Sequence, residues 1–354
     1  MSSSSKLVLI TGGSSFVGLH AIHQAIQQSY RVRTTIRSES KKELILTALK
    51  EYDGSLSYDK LEFVHADLLK DEGWNEAAGG VDFVLHIASP FPGSDPKDEN
   101  DLIIPARDGT LRVLKAAKGS STCKRVVVTS SVAAVAYGTK EPSGGGSANY
   151  TEKDWTNVNG PGVSAYVKSK TLAEEAAWKY VREGEGKGSL ELSVVNPVGI
   201  FGPPIRAQDD STTCNIIKDM LNGKFPLVPK IGFGIVDVRD VASLLLLAMT
   251  KAEANGERYI CNGDTRIRTL LEVSLAIREK LPNKATKAPT KEMPDWLVRV
   301  GSYVMAPLKL AASQLGKTHG ISNEKAVALG WKPRTPEEAV VATAQRFYDT
   351  GILH

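Results

Sequence analysis

The chain has 354 residues, 42% hydrophobic and 24% charged, which suits one large α/β domain with a smaller appendage and excludes disorder as the main state. Its formal charge of +4 is spread without a basic run, so nucleic acid and membrane surfaces are excluded as expected partners. Three separated cysteines, Cys123, Cys214 and Cys261, argue for reduced thiols rather than a disulfide framework or zinc site. No metal is expected, and no apolar run approaches a membrane span or a signal-peptide core, which points to a cytoplasmic protein.

The first predicted elements are the strand "KLVLI", a turn rich in glycine and serine, and a helix from Phe16. A strand, tight turn and helix present backbone N–H groups and a positive helix end to a pyrophosphate. Thr11, Gly12, Ser14, Ser15, Phe16, Val17 and Gly18 are therefore candidate cofactor residues. Gly12 and Gly18 take the outer places of a T-G-x-x-G-x-x-G fingerprint, while Ser15 stands where the middle glycine belongs. His20 and His23, farther along the helix, read as surface histidines because no second ligand pair accompanies them.

The second strand, "RVRTTI", ends where a fold that prefers NAD places an acid against the ribose 2′-hydroxyl. Ile36 and Arg37 occupy that neighbourhood, and a helix predicted from Lys41 follows. The guanidinium of Arg37 and the ammonium of Lys41 suit a 2′-phosphate, which favours NADP(H). "LEFVHADL" and "VDFVLHIASP" supply two further strands, with Asp67 and Leu68 expected near the adenine and the small residues Ala88 and Ser89 where a cofactor passes closely.

A helix from Leu102 leads to the strand "RVVVTSS", which ends in Thr129, Ser130 and Ser131. Strand ends are where a doubly wound sheet puts its chemistry. A further helix carries Tyr166 and Lys170, and i, i+4 neighbours share a face, so the ammonium can lie near the phenol. With ten tyrosines and 28 lysines, about one such pair is expected by chance, so spacing alone decides nothing.

The β-α alternation through "LELSVVNP" predicts a doubly wound parallel sheet, a Rossmann α/β fold, over residues 1–195. Residues 196–354 are expected to form a smaller, interwoven substrate lobe, with 235–262 returning to the core and Asp240 as the N-cap of the helix in "VDVRDVASLLLLAM". "EPSGGGSANY" and "REGEGKGSLE" read as exposed loops.

"LITGGSSFVG", "HIASPF", "VVVTSSVAAV", "YVKSKTLAEEAAWKY", "VVNPVGIFGPP", "VDVRDVA" and "SNEKAVALGWKPRTPEEAV" fall in order along nearly the whole chain. Together they resemble the extended short-chain dehydrogenase/reductase superfamily, in particular the dihydroflavonol-4-reductase-like group with its yeast-type ketone and aldehyde reductases. The resemblance implies Tyr166 as proton donor to a carbonyl oxygen, Lys170 holding the ribose and lowering the phenol pKa, and Ser131 binding that oxygen. It further implies that Pro197 and Val198 line the nicotinamide. Phe91, Val132 and Phe201 are expected to wall the substrate pocket. Ala136 stands where plant flavonoid reductases carry Asn or Asp, and the "NWYCY" signature of cinnamoyl-CoA reductases is missing, so a moderately apolar ketone or aldehyde is the expected substrate. A nucleotide-sugar epimerase or dehydratase, and a non-catalytic NADP(H)-sensing protein, are the alternatives; a monomer or weak homodimer is expected.

Overall fold

A computed structural model of the chain describes residues 5–90, 96–138, 141–145, 148–184, 190–302, 315 and 319–353. Phe91 and the centres of both glycine-rich stretches, residues 146–147 and 185–189, lie outside these described residues.

The first half alternates strand and helix: β1 (Leu7–Thr11), α1 (Phe16–Gln27), β2 (Arg31–Ile36), α2 (Glu39–Tyr52), β3 (Glu62–His65), α3 (Trp74–Ala78), β4 (Phe83–His86), α4 (Asn100–Gly119) and β5 (Arg125–Thr129). A 3-10 turn, Val132–Ala134, then precedes α5 (Ala165–Arg182) and β6 (Glu191–Pro197). β1 and β4 are buried along their whole length, as strands covered by helices on both faces must be. Two apolar clusters form the core, one on each side of the sheet. Ile10, Ile22 and Leu85 belong to the first, and Leu9, Val84 and Leu114 to the second.

After β6 come β7 (Gly199–Phe201), α6 (Thr212–Leu221), β8 (Val228–Pro229), β9 (Gly232–Phe233), β10 (Ile235–Asp237), α7 (Val238–Thr250) and β11 (Arg258–Cys261). A second 3-10 turn, Ala252–Ala254, lies between α7 and β11, and β12 (Arg268–Thr269), α8 (Leu270–Lys280), β13 (Glu292–Met293), α9 (Asp295–Gly301), α10 (Glu324–Ala328) and α11 (Pro336–Asp349) complete the order of the described elements. The main sheet has seven strands in the order β11-β6-β5-β4-β1-β2-β3, every pair parallel. The order reverses between β1 and β4, and a doubly wound sheet binds its ligand in the crevice at such a point, beyond the carboxyl ends of the strands. The strand pairs β7–β10, β8–β13 and β9–β12 stand apart from this sheet, whereas α7 packs on α1 and β11 extends the edge beside β6.

Two local expectations are corrected. The N-cap of α7 is Asp237, which has extended backbone and accepts the Arg239 N–H at 2.8 Å. Asp240 lies inside the helix, where its carboxylate accepts the backbone N–H of Arg334 at 2.6 Å and pairs with that residue's guanidinium. His20 is buried rather than on the surface: its Nε2 meets the Pro203 carbonyl at 2.9 Å, and burial lowers its pKa to about 4. Among the described residues no helix is long and apolar enough to cross a membrane.

Candidate active site

The glycine turn between β1 and α1 is closed by contacts that leave no room for side chains. Gly12 has φ +72°, and a Cβ there would sit 2.9 Å from the backbone of Ala88. A Cβ on Gly18 would sit 2.2 Å from the Gly12 carbonyl oxygen. Ser15, by contrast, has φ −81° and ψ 164°, a conformation open to any residue. Its hydroxyl donates to the Gly12 carbonyl at 2.7 Å and accepts the Gly18 N–H at 3.1 Å. The serine thus caps the helix and pins the turn that a glycine would leave looser. The first turn of α1 holds no acid, Phe16 and Val17 turn their side chains into the core, and Ser14 is half-buried in the turn. What faces outward is the positive helix end, the arrangement that suits an anion.

Thr11 joins the two strands that flank the reversal: its hydroxyl oxygen receives the N–H groups of Ile87 and Ala88, both at 3.1 Å. Ala88 and Ser89 consequently sit beside the glycine turn. On the other flank Arg37 follows β2 and is exposed, Lys41 lies in the first turn of α2, and among the described residues neither makes an ion pair. Asp67 spends one carboxylate oxygen on the N–H of Leu69 at 3.0 Å, which makes it a turn-former. Leu68 gives its carbonyl to Arg112 and packs its side chain against Gly109.

Beyond the β5 end, Ser131 is the N-cap of the 3-10 turn and its oxygen accepts the Ala133 N–H at 3.1 Å. That leaves its proton to point outward, and the Ser131 hydroxyl hydrogen-bonds the Tyr166 phenol. Ser164 caps α5 from the residue before it and so fixes where Tyr166 falls on the helix. Lys170 Nζ lies 5.8 Å from the centre of the Tyr166 ring. Burial raises the Tyr166 pKa, with the Ser131 contact opposing, and burial lowers Lys170 to about 8. The phenol therefore keeps its proton at neutral pH in this arrangement, as a proton donor must. Below Lys170 a small cavity is lined by His86, Ala88, Ser89, Thr129 and Ser130, and among the described residues the buried Thr129 hydroxyl has no hydrogen-bond partner.

Two expectations at this end are revised. The Val198 N–H donates to the Cys261 carbonyl at 3.2 Å and the Gly199 N–H to Gly234 at 3.0 Å, so neither amide hydrogen is spare for a nicotinamide carboxamide; Pro197 has none to give. Phe201 is fully buried and stacks on Phe233 with ring centres 5.9 Å apart, a place in the core rather than in a pocket wall. Val132 is half-buried beside Ser131. A residue that sequence reasoning missed is Tyr137, whose pKa is raised by burial and, to a lesser degree, by the charge of Tyr166. The chain's return after the 3-10 turn brings it near Tyr166, where the Tyr137 N–H donates to Thr156, and no local motif signals it.

With the strand order, the glycine turn and the Ser-Tyr-Lys cluster in view, comparison with known proteins is decisive. Residues 8–262 match the NAD dependent epimerase/dehydratase family. The chain belongs to that family. Its relatives place it in the extended short-chain dehydrogenase/reductases, dihydroflavonol-4-reductase-like group, whose members named below are oxidoreductases. It is 33% identical to a ketoreductase of Aspergillus niger, over 83% of this chain and 88% of that protein. It is 32% identical to the NADPH-dependent methylglyoxal reductase of Saccharomyces cerevisiae, over 72% of this chain and 77% of the relative. The crystal structure of the yeast methylglyoxal/isovaleraldehyde reductase complexed with NADPH superposes with a TM-score of 0.80 at 27% identity, covering 98% of this chain and 99% of that one.

Proposed function

We propose that the chain is an NADPH-dependent carbonyl reductase that converts a moderately apolar ketone or aldehyde into an alcohol, with Tyr166 as the proton donor. The observation that carries this reading is the Ser131–Tyr166 hydrogen bond with the Lys170 ammonium beside the phenol ring, placed at the carboxyl ends of the strands. The residues fit the cofactor. The sterically closed glycine turn and the acid-free helix end, with Arg37 and Lys41 unpaired and the Thr129 hydroxyl unpartnered among the described residues, suit a dinucleotide with a 2′-phosphate, which in such folds lies in the crevice beyond the strand ends.

When bound, NADPH supplies the hydride. The protein's own part is to hold the carbonyl and deliver one proton. Ser131 donates its hydroxyl hydrogen to the carbonyl oxygen and so steadies the charge that gathers there. Tyr166 Oη then gives its proton to that oxygen, and the developing phenolate is balanced by the Lys170 ammonium. Lys170, Thr129, Ala88 and Ser89 would hold the nicotinamide ribose, Asp67 and Leu68 the adenine end, and the Pro197–Val198 segment the nicotinamide face. Residues 196–354 would supply the substrate side, with Val132 and Tyr137 closest to the reacting group.

A nucleotide-sugar epimerase keeps NAD and recycles it, and the strand-end acid expected of such an enzyme is replaced here by Ile36 and Arg37. The test is loss of NADPH absorbance with aryl ketones, α-keto esters and aldehydes, run beside conversion of UDP-sugars without net cofactor change. Stoichiometric NADPH oxidation by any carbonyl compound supports the reductase, and sugar conversion without it overturns the proposal.

A further inference from the structure

The face of α5 that carries Tyr166 and Lys170 continues one turn later with Glu174, a carboxylate only 1% exposed. An ionised carboxylate so deep is tolerated only when its lone pairs are filled. Four donors fill them here. Ser130 Oγ and Asn196 Nδ2 donate to Oε2 at 2.6 and 2.7 Å, and Arg258 Nε and Trp178 Nε1 donate to Oε1 at 2.6 and 3.2 Å. Arg258 lies over the Trp155 ring and also donates to the carbonyls of Glu152, Asp154 and Ala134.

Three of the four arms of this cluster end on the segment that presents Ser131, while Trp178 belongs to α5 itself. Ser130 is its chain neighbour. Asn196 donates with the same amide nitrogen to the Ser131 carbonyl at 3.1 Å. Arg258 reaches Ala134, the last residue of the 3-10 turn that Ser131 caps. One side chain of the catalytic helix therefore ties that helix to the ends of β5 and β6 and to the edge strand β11. A buried ion pair is a weak source of stability compared with apolar packing, so its value lies in the geometry it specifies.

We infer that Glu174 is a positioning residue that holds the Ser131 hydroxyl in register with the Tyr166 phenol, with Asn196 and Arg258 as its anchors. This role rests on the catalytic reading of Ser131, Tyr166 and Lys170 given above. Small errors in such alignment cost large factors in rate.

The experiment compares Glu174→Gln, Asn196→Ala and Ser130→Ala with wild type, measuring kcat and KM for a carbonyl substrate, NADPH affinity, the pH profile of kcat and the melting temperature. Activity is normalised to NADPH-binding sites, so misfolded enzyme does not count. Glu174→Gln is expected to lower kcat per binding site by about 10-fold or more, with KM and NADPH affinity changed by less than about 3-fold, and to shift the pH dependence of kcat. If Glu174→Gln does not fold, Asn196→Ala and Ser130→Ala carry the test, with an expected kcat loss of about 5-fold at unchanged NADPH affinity. A lowered melting temperature with kcat per site and pH profile unchanged in every folded variant would make the cluster purely structural and overturn the inference. Tyr166→Phe is run alongside. If it keeps full activity, the underlying reading fails instead, whatever the Glu174 variants do.

Discussion

The Thr11 hydroxyl and His86 Nδ1 lie 2.9 Å apart, and the direction of that bond is set by Thr11's other partners. Its oxygen already accepts the N–H groups of Ile87 and Ala88, so its single proton goes to Nδ1. His86 is thereby held neutral with its proton on Nε2, and it lines a small cavity together with Lys170. Burial, with help from the Lys170 charge, lowers its pKa to about 3.

A stability prediction follows from His86 and His20, which burial holds to pKa values of about 3 and about 4 against an ordinary 6.5. The unfolded chain binds protons at these two positions below about pH 6.5, and the folded chain does not until pH approaches 4 and 3. Stability therefore falls as pH drops through that window, by roughly 2 kcal/mol per histidine at pH 5. Urea unfolding at pH 7 and pH 5 checks this, with His20→Gln and His86→Gln each expected to shrink the difference. Equal stability of wild type at both pH values would show that these imidazoles titrate normally.

Tyr166→Phe should lower turnover by at least ~10²-fold, the scale of a positioned general acid, while NADPH still binds. A variant with more than half the wild-type activity would remove Tyr166 from the mechanism. The basic limb of the rate profile is predicted to follow Lys170, whose pKa burial lowers to about 8. Activity should fall as pH rises through that value, because the ammonium that balances the phenolate is lost, and Lys170→Met should abolish the limb along with most of the rate.

The parallel core was legible because its strands, buried on both faces, read as continuous apolar runs, and the Tyr166–Lys170 pair because a helix puts i and i+4 together. What depended on distant chain was not. Glu174 and Arg258 are separated by 84 residues and meet only because β11 joins β6. Asp237 and Asp240 both stand in "VDVRD", and only the end of β10 decides which one caps the helix. Phe201 looks like a pocket residue beside "NPVG" until Phe233 arrives to cover it.

Ser15 gives a prediction at the fingerprint. Ser15→Gly restores the usual pattern but removes the hydroxyl that caps α1, so it should destabilise the fold slightly, by at most about 1 kcal/mol, since glycine is a tolerable N-cap. Gly13→Ala should be far worse, because its Cβ would meet the Thr34 hydroxyl at 2.2 Å. Thermal melting of the two variants checks the contrast; a Gly13→Ala protein as stable as wild type would mean that the turn is laxer than its contacts indicate.

The last prediction concerns cofactor choice. Ile36 ends β2 where an NAD enzyme needs a carboxylate, while Arg37 and Lys41 offer two positive charges free of ion pairs among the described residues. A charge-assisted contact contributes about 1.5 to 3 kcal/mol, so two of them give ~10²-fold or greater preference for NADPH over NADH, trimmed by the exposure of Arg37 to solvent. Arg37→Ala combined with Lys41→Ala should weaken NADPH and leave NADH almost unaltered, because only NADPH carries the 2′-phosphate that the charges hold. Raising the salt concentration should act in the same direction on wild type and have little effect on the double variant. Steady-state kinetics with both cofactors decide the matter: equal use of NADH and NADPH by wild type, or equal loss of both in the double variant, would make Arg37 and Lys41 ordinary surface charges.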